Sequence, residues 1–401
     1  MNIPAPTEAL PGRWETRVGG LPRAFWALWT GALVNRLGAF VAPFLVLYLT
    51  RTRGLSISQA GLVLSAHGLG LAISQPVGGV LADRVGRRRT MVGGLVAAAT
   101  TLVLVGAATS LPLLCLAVFV YGISADLYRP ASQAAIADLV DEKHRPRAYA
   151  LLFWAINLGF AVATLLAGLL ADHGYWLLFL GDAATSLVFA AVILRGVPET
   201  RPQHHREPGR LRDVARDRLM LLLVASVVLQ SVAYLQAFFT LPLAITADGL
   251  GTRGYGIAIS LNCVLIVLLQ PLLLGALGRR GRAPLLLASG VVIGAGLALT
   301  AFADTLPTHL AAVTVWTLGE LVGAGQLGAL IASIAPPHLR GRYMGMYGLS
   351  YGVAAFVGPA LGTATLDRLG ENALWGGCLL LGVLSGAGLF VVARVAARRS
   401  G

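Results

Sequence analysis

Charge is scarce in this chain of 401 residues. Charged side chains make up 12% of it, hydrophobic residues make up 56%, and the mean hydropathy is +0.75. A soluble domain carries roughly a quarter charged residues, because most of its surface faces water. Lysine occurs once, as Lys143, and the other strongly basic side chains are arginines. This composition excludes an ordinary soluble protein and indicates a chain whose surface faces lipid.

Cysteines and enzyme motifs are sparse as well. Cys115, Cys263 and Cys378 are dispersed in apolar segments, which argues against a disulfide framework or a metal cluster. A nucleotide-binding Gly-Lys-Ser/Thr loop and a His-Glu-x-x-His zinc motif are both missing. We therefore expect no enzyme and no metal site. The net charge of +13 is spread between apolar runs rather than along one stripe, so we expect no nucleic-acid partner.

Apolar runs long enough to cross a bilayer follow one another along the whole chain. A transmembrane helix needs about 20 such residues. We predict an all-α membrane protein with twelve transmembrane helices. The four longest are expected as continuous helices over about 24–50, 112–138, 219–246 and 307–334. Residues 1–195 and 219–401 should form two six-helix bundles, joined by a cytoplasmic linker over 196–218.

The two bundles are predicted from an internal repeat. A shift of the sequence by 195 positions superimposes Gln75-Pro76 on Gln270-Pro271, and Gly86-Arg87 on Gly281-Arg282. The matches fall at equivalent points of the two halves, which indicates parallel repeats about an axis normal to the membrane. Arginines crowd the loops on one side, including Arg84 to Arg89. The positive-inside rule therefore predicts that both termini are cytoplasmic.

A glycine–acid–glycine–arginine loop joins the second and third predicted helices. We call Gly79, Asp83, Gly86, Arg87 and Arg88 the gating loop. Its spacing resembles the conserved loop of the major facilitator superfamily. The resemblance covers essentially the whole chain, including helix count and repeat, and is nearest to the bacterial drug:proton antiporter branch. It implies that Asp83 latches the two halves on the cytoplasmic side; the alternative is that the arginines only fix topology. The absence of a side chain at Gly79 permits close helix contact. The Gly-Pro pair that such exporters carry in the fifth helix is missing here.

Four charged side chains fall within apolar runs. They are Arg36 in helix one, Asp126 and Arg129 in helix four, and Glu320 in helix ten. Such charges are costly in a membrane and normally face a cavity. In the superfamily, helices one, four, seven and ten line the central cavity, so the resemblance implies that all four converge there. We expect Arg36 or Arg129 to pair with Asp126. The possible roles are proton coupling through Asp126 or Glu320, a fixed ion pair, or binding of a charged substrate.

Further polar and aromatic side chains are candidates for the cavity wall, with simple packing as the alternative. Asp182, in helix six, is expected near its outer end and in water. His67 could join a proton relay or only pack. The remaining wall candidates are Asn35, Trp154, Asn157, Gln230, Gln236, Trp316 and Gln326.

The resemblance implies a secondary transporter of the bacterial inner membrane that works by alternating access. Proton-driven efflux of hydrophobic or amphipathic small molecules is the first hypothesis. Proton-coupled uptake of a peptide or sugar is the second, and a non-transporting sensor is a third. The implied partners are a small-molecule substrate, protons and membrane lipid, with a monomer expected. The implied energy source is the proton gradient, without a cofactor.

Overall fold

The computed structural model of this protein describes residues 17–200, 216–277, 280–336 and 339–400. Within these ranges, twelve helices are long and apolar enough to cross a membrane. The predicted all-α architecture is therefore confirmed. We number the twelve as spans in chain order. The linker side is the side on which span 2 ends at Arg84, and the far side is the opposite one, where span 1 ends at Thr52.

The first six spans follow a short antiparallel pair, Arg17–Val18 with Leu21–Pro22. Span 1 consists of two α-helices and a π-helical turn, and span 4 consists of two α-helices. The bounds are Arg23–Leu37, Val41–Leu47 and Tyr48–Thr52 for span 1; Ile57–Arg84 and Arg87–Ala107 for spans 2 and 3; Leu111–Asp126 and Tyr128–Leu139 for span 4; and Arg145–Leu170 and Trp176–Gly196 for spans 5 and 6. Short 3-10 turns cover Glu142–His144 and Ala171–His173.

The last six spans repeat this pattern, with interruptions in spans 7 and 10. The bounds are Arg218–Phe239 and Leu241–Ala247 for span 7; Gly251–Leu277 for span 8; Arg282–Ala298 for span 9, extended by a 3-10 turn over Leu299–Phe302; Leu306–Gly323 and Gln326–Ile334 for span 10; and Arg340–Leu369 and Glu371–Ser400 for spans 11 and 12.

Spans 1, 4, 7 and 10 are each divided, where the sequence predicted continuous helices. Each interruption has a local cause. Gly38 ends the first helix of span 1, and Gly325 takes a left-handed conformation (φ +76°) that glycine adopts without steric cost. Pro130 and Pro242 lie in the first turn of the second helices of spans 4 and 7. A proline there lacks an N–H for the preceding turn. The four spans expected to line the cavity are thus the interrupted ones.

The two halves contact each other through glycine-rich faces of spans 2, 5, 8 and 11. A Cβ added at Gly68 would overlap the backbone carbonyl of Ala355, and Gly168 lies against the backbone of Gly256. On the far side the halves are also bonded through Ser58 and Asp367 (2.6 Å) and through Asp172 and Arg253 (3.3 Å). These contacts close the far side of the molecule.

Candidate functional site

A cavity of about 230 Å³ lies between the halves, and its walls differ in character. The first half contributes most of its polar and charged lining: Asn35, Arg36, His67, Asp126, Arg129, Asp182 and Ser186. The second half contributes Leu235, Phe238, Phe239, Tyr351 and Ala355. We call this space the central cavity. All the charged side chains of the lining come from the first half, and the second half contributes mainly apolar and aromatic side chains, so the cavity offers both charged and apolar surface.

Asp126 forms an ion pair with Arg129 on the same span. Arg129 Nε lies 3.0 Å from Asp126 Oδ1, although its N–H is not directed straight at the carboxylate. Arg36 donates instead to the Tyr128 hydroxyl at 3.5 Å, and its buried Nε has no hydrogen-bond partner among the described atoms. Of the two arginines proposed for Asp126, the structure selects Arg129, which lies just beyond the interruption of span 4 that follows Asp126.

Asp182 is buried, with 6% of its surface exposed, and lines the central cavity. The expectation that it would lie in water is wrong. Its Oδ2 accepts a long hydrogen bond (3.4 Å) from the backbone N–H of Val41 in span 1. One turn further along span 6, the Ser186 hydroxyl accepts a 3.0 Å bond from Asn35 Nδ2. A polar seam thus joins spans 1 and 6. The sequence signal for Asp182 was the same as for Asp126: a carboxylate within an apolar run.

His67 stacks on Tyr121, with the ring centroids 5.4 Å apart and an angle of 26° between the planes. It is buried and lines the central cavity, and its Nε2 has no hydrogen-bond partner among the described atoms. The structure therefore brings His67 to the site together with Asn35, Arg36, Asp126 and Arg129.

Glu320 lies elsewhere, in a second cavity of about 400 Å³. The implied convergence of all four charged groups on one cavity is therefore wrong in this conformation. Asn262 Nδ2 donates to Glu320 Oε2 at 3.1 Å, and the Tyr234 hydroxyl donates to Oε1 at 3.4 Å. Both donors are neutral, so this carboxylate is held without an ion pair among the described residues. Asn262, from span 8, and Tyr234 were missed in the sequence.

The remaining wall candidates are scattered. Gln230 lines the second cavity, and Gln236 is buried between spans 7 and 11, donating to the Gly358 carbonyl at 3.1 Å. Trp316 is buried against the Tyr234 ring. For these last two, packing replaces the predicted place on the central-cavity wall.

Three wall candidates line neither the central nor the second cavity. Trp154 is 46% exposed, and the Asn157 side chain donates to the Phe153 carbonyl within its own helix. Gln326 begins the second helix of span 10 and also lies off both linings. Their predicted place on the cavity wall is therefore wrong in this conformation.

The gating loop is held by a buried arginine. Arg87 Nη1 donates to Asp83 at 2.9 Å, and its Nε donates to Asp138 of span 4 at 3.1 Å. Asp83 thus bonds within its own half, and 58% of its side chain is exposed. A Cβ added at Gly79 would meet no atom within 4 Å, so the close helix contact predicted for Gly79 is not formed in this conformation.

Glu199, which the sequence analysis did not single out, completes this loop. Its two carboxylate oxygens accept from the backbone N–H groups of Arg88 (3.1 Å) and Arg89 (3.2 Å), at the start of span 3. Gly86 supplies the turn, with a φ of +111° that side-chain-bearing residues rarely adopt. Arg88 also donates to the Leu194 carbonyl of span 6. The loop therefore fastens spans 2, 3 and 6 to each other.

One enzyme-like pattern escaped the sequence analysis. Gly348-Leu349-Ser350-Tyr351-Gly352 fits the Gly-x-Ser-x-Gly pattern of serine hydrolases. That motif needs a sharp strand-to-helix turn that exposes the serine. Here it lies within the continuous helix of span 11, and Ser350 is fully buried, donating to the Met346 carbonyl. Nor do the described residues contain a cluster of three metal-binding side chains.

Comparison with known proteins places the chain among membrane transporters. The family model described as Major Facilitator Superfamily matches residues 28–359 and, in a second match, 237–400. Multidrug resistance protein MdtH of Aeromonas salmonicida is 26% identical over 85% of this chain and 87% of its own. A Na(+), Li(+), K(+)/H(+) antiporter of Planococcus maritimus is 24% identical over 80% of this chain and 84% of its own.

Among solved structures, a POT family transporter crystallised with a thioalcohol-conjugated peptide has a similar fold. The TM-score is 0.79 at 16% identity, and the match covers 96% of this chain and 98% of that one. At this identity the likeness concerns the fold alone.

Proposed function

Because this chain belongs to the Major Facilitator Superfamily, a family of membrane transporters, we propose that it exports amphipathic small molecules in exchange for protons. The observation that carries the proposal is the central cavity, with a charged wall from the first half and an apolar, aromatic wall from the second. A polar nutrient such as a sugar would bury hydroxyl groups against Leu235, Phe238 and Phe239, which offer no side-chain hydrogen-bond partners, and that is costly. An amphipathic molecule satisfies both walls.

Alternating access supplies the mechanism in this proposal. The far side is closed in this conformation by contacts between spans 2 and 11 and between spans 5 and 8. With the linker side cytoplasmic, as the arginine distribution predicts, this is a conformation that would load substrate from the cytoplasm or the inner leaflet. The halves would then rock about the cavity until the far side opens.

Proton coupling would use the carboxylates that remain inside the membrane. Arginine stays charged in proteins, whereas a carboxylate can bind and release a proton. Asp126, already paired with Arg129, and Glu320, held by Asn262 and Tyr234, are the candidates taken from the sequence. Protonation of Asp126 would release Arg129 towards the cavity, so a proton and a substrate would alter the same group of charges.

Flux into liposomes tests both the substrate class and the sign of coupling. The probe is ethidium, whose permanent charge prevents passive trapping by a pH gradient. An antiporter should accumulate ethidium in liposomes whose lumen is more acidic than the bath. Protein-free liposomes and liposomes treated with nigericin serve as controls. Accumulation of a dipeptide or sugar under the opposite gradient, without ethidium transport, would instead establish symport and refute the proposal.

A further inference from the structure

The interruption of span 1 is held by span 6. The first helix ends at Leu37, and the Gly38 and Ala39 N–H groups donate back to the carbonyls of Asn35 (3.2 Å) and Arg36 (3.3 Å). The next helix begins at Val41, whose N–H donates to Asp182 Oδ2 on span 6 rather than to a carbonyl of span 1. A side-chain carboxylate therefore replaces a bond of the helix at this point.

The two spans are packed closely enough for this contact to be specific. A Cβ added at Gly38 would overlap the Thr185 side chain, and a Cβ at Gly181 would lie 2.7 Å from the Phe40 ring. Glycines on both spans therefore bring the interruption directly against the turn that carries Asp182. A change in the charge of Asp182 therefore acts directly on the backbone N–H of Val41, where span 1 is interrupted.

Asp182 differs from Asp126 in its partners. Among the described residues it makes no salt bridge, and the one hydrogen bond found for its carboxylate, from Val41, is 3.4 Å long. A typical N–H···O bond is 2.7–3.2 Å. A buried carboxylate without a paired cation is costly in its charged form, and the cavity gives it a path to protons. Asp182 is thus the lining carboxylate whose charge is least compensated by direct contacts.

Other charged and titratable groups face the same space. They come from the spans packed around it: Arg36 from span 1, His67 from span 2, Tyr121, Asp126, Tyr128 and Arg129 from span 4, and Tyr351 from span 11. Spans 3, 5 and 7 line the cavity with apolar side chains, among them Leu95, Ala98, Phe160 and Leu235. A test of Asp182 therefore has to follow the outer segment of span 1, which Asp182 contacts through the N–H of Val41.

The segment beyond the interruption carries part of the far-side closure. Phe44 packs edge-on against Tyr255 of span 8, with the ring centroids 5.2 Å apart. Arg51 donates to the Thr246 carbonyl at the end of span 7 at 3.5 Å. Both residues follow Val41 in the same outer helical segment, which ends at Thr52. The interruption therefore lies between Asp182 and the contacts that close the far side.

We propose that Asp182 is a proton-binding site that controls far-side closure through the interruption of span 1. A proton arriving from the central cavity binds a carboxylate oxygen of Asp182 and removes its negative charge, and the hydrogen bond from the Val41 N–H weakens. The segment Val41–Thr52 is then free to reorient away from spans 7 and 8. This inference deepens the proposed exchange of substrate for protons by naming a group on which a proton acts.

Spin labels on the far side test the proposal without substrate or flux. Cysteines replace the exposed residues Thr52 and Ala247 in a protein whose native cysteines are changed to alanine. In the otherwise unaltered protein, the ratio of the long-distance to the short-distance population should rise on the order of tenfold between about pH 8.5 and about pH 5.5. This rise is expected if the proton affinity of Asp182 differs about tenfold between the two conformations.

The variant Asp182→Asn keeps the shape and the oxygen acceptor but cannot ionise. It should show the long-distance population at every pH, whereas Asp182→Glu should restore a pH response. The matched control Glu371→Gln, at an exposed acid in the first turn of span 12 and away from the central cavity, should retain the response. A response unchanged in Asp182→Asn, or no response in the unaltered protein, overturns the proposal. Because the distances are read without substrate, a failure of ethidium transport would count against the proposed function and not against this site.

Discussion

At the residue scale, the pairing of charges within the membrane decides what each charge can do. Asp126 has its arginine three residues away on the same span, across the interruption, while Arg36 has the Tyr128 hydroxyl and a buried Nε without a partner among the described atoms. An arginine in a cavity whose N–H groups lack hydrogen-bond acceptors is available to bind a ligand. An arginine that is paired with a carboxylate becomes available only when that carboxylate is protonated or moves away. Arg36 and Arg129 therefore have different roles in the proposed site.

Removal of Arg129 should destabilise the protein through the carboxylate it leaves behind. Breaking a fully buried pair costs 3–5 kcal/mol, and since 41% of the Arg129 side chain is exposed, we expect about 1–3 kcal/mol for Arg129→Ala. The double variant Asp126→Asn, Arg129→Ala should regain most of this stability without regaining proton-driven transport. Thermal unfolding in detergent measures the stabilities. A double variant as unstable as Arg129→Ala would show that packing, rather than the unpaired charge, sets the cost.

At the scale of elements, contacts between segments distant in sequence hold the spans in place. Span 3 begins with backbone N–H groups that donate hydrogen bonds to the carboxylate of Glu199, a residue just beyond the end of span 6. Spans 2 and 11 approach so closely at Gly68 and Ala355 that no side chain fits between them. The Glu199 contact fastens elements within the first half, and the Gly68–Ala355 contact joins the two halves.

The Glu199 cap should contribute measurably to stability. The loss of a side-chain cap at a helix N-terminus costs about 0.5–2 kcal/mol, so Glu199→Ala should lower the unfolding temperature, and Glu199→Gln should lower it less because one oxygen acceptor remains. Glu371→Ala, at an exposed acid in the first turn of span 12, is the matched control. Equal unfolding temperatures for Glu199→Ala and Glu371→Ala would contradict a capping role.

A methyl group at Gly68 should act against far-side closure. Overpacking a tight contact costs about 1–3 kcal/mol, and Gly68→Ala imposes it only while spans 2 and 11 are together. Far-side spin-label distances should therefore lengthen in Gly68→Ala. They should stay unchanged in Gly79→Ala, because a Cβ at Gly79 on the same helix meets nothing within 4 Å. Identical distances in the two variants would contradict the expectation that a methyl group at position 68 separates spans 2 and 11.

At the scale of the whole molecule, the two halves are joined on the far side, while the gating loop is bonded within the first half. Asp83 and Asp138 share Arg87, and Glu199 caps span 3. The latch between halves that the family resemblance implies for Asp83 would then belong to another conformation, in which the linker side is closed. This structure has the far side closed, whereas the latch would form in the conformation with the linker side closed.

The variant Asp83→Asn tests the latch. It removes the charge and keeps the size of the side chain, so it should shift the population towards the far-side-closed conformation and slow transport. Apparent substrate affinity should change only through that shift in population. Spin labels on the linker-side ends of the two halves should report longer distances than in the unaltered protein. An unchanged distance distribution would reduce Asp83 to a partner of Arg87 within the loop.

Much of this molecule was determined by the sequence alone. Twelve apolar runs can satisfy their backbone groups in lipid only as helices, and the 195-residue repeat indicates two related halves. The charges at Arg36, Asp126, Arg129 and Glu320 indicated candidate functional regions because each is costly within a membrane. These inferences depend on local composition and on spacing along the chain.

Only the tertiary structure decided which charges meet. Glu320 lies in a cavity apart from Asp126, and Asp182, expected in water, is buried against the interruption of span 1. The sequence shows how far along a helix a side chain lies, but the neighbour it faces depends on helix rotation, tilt and interruption. Those are set by the glycine contacts between spans, such as Gly38 against Thr185, two residues that lie more than a hundred positions apart in the chain.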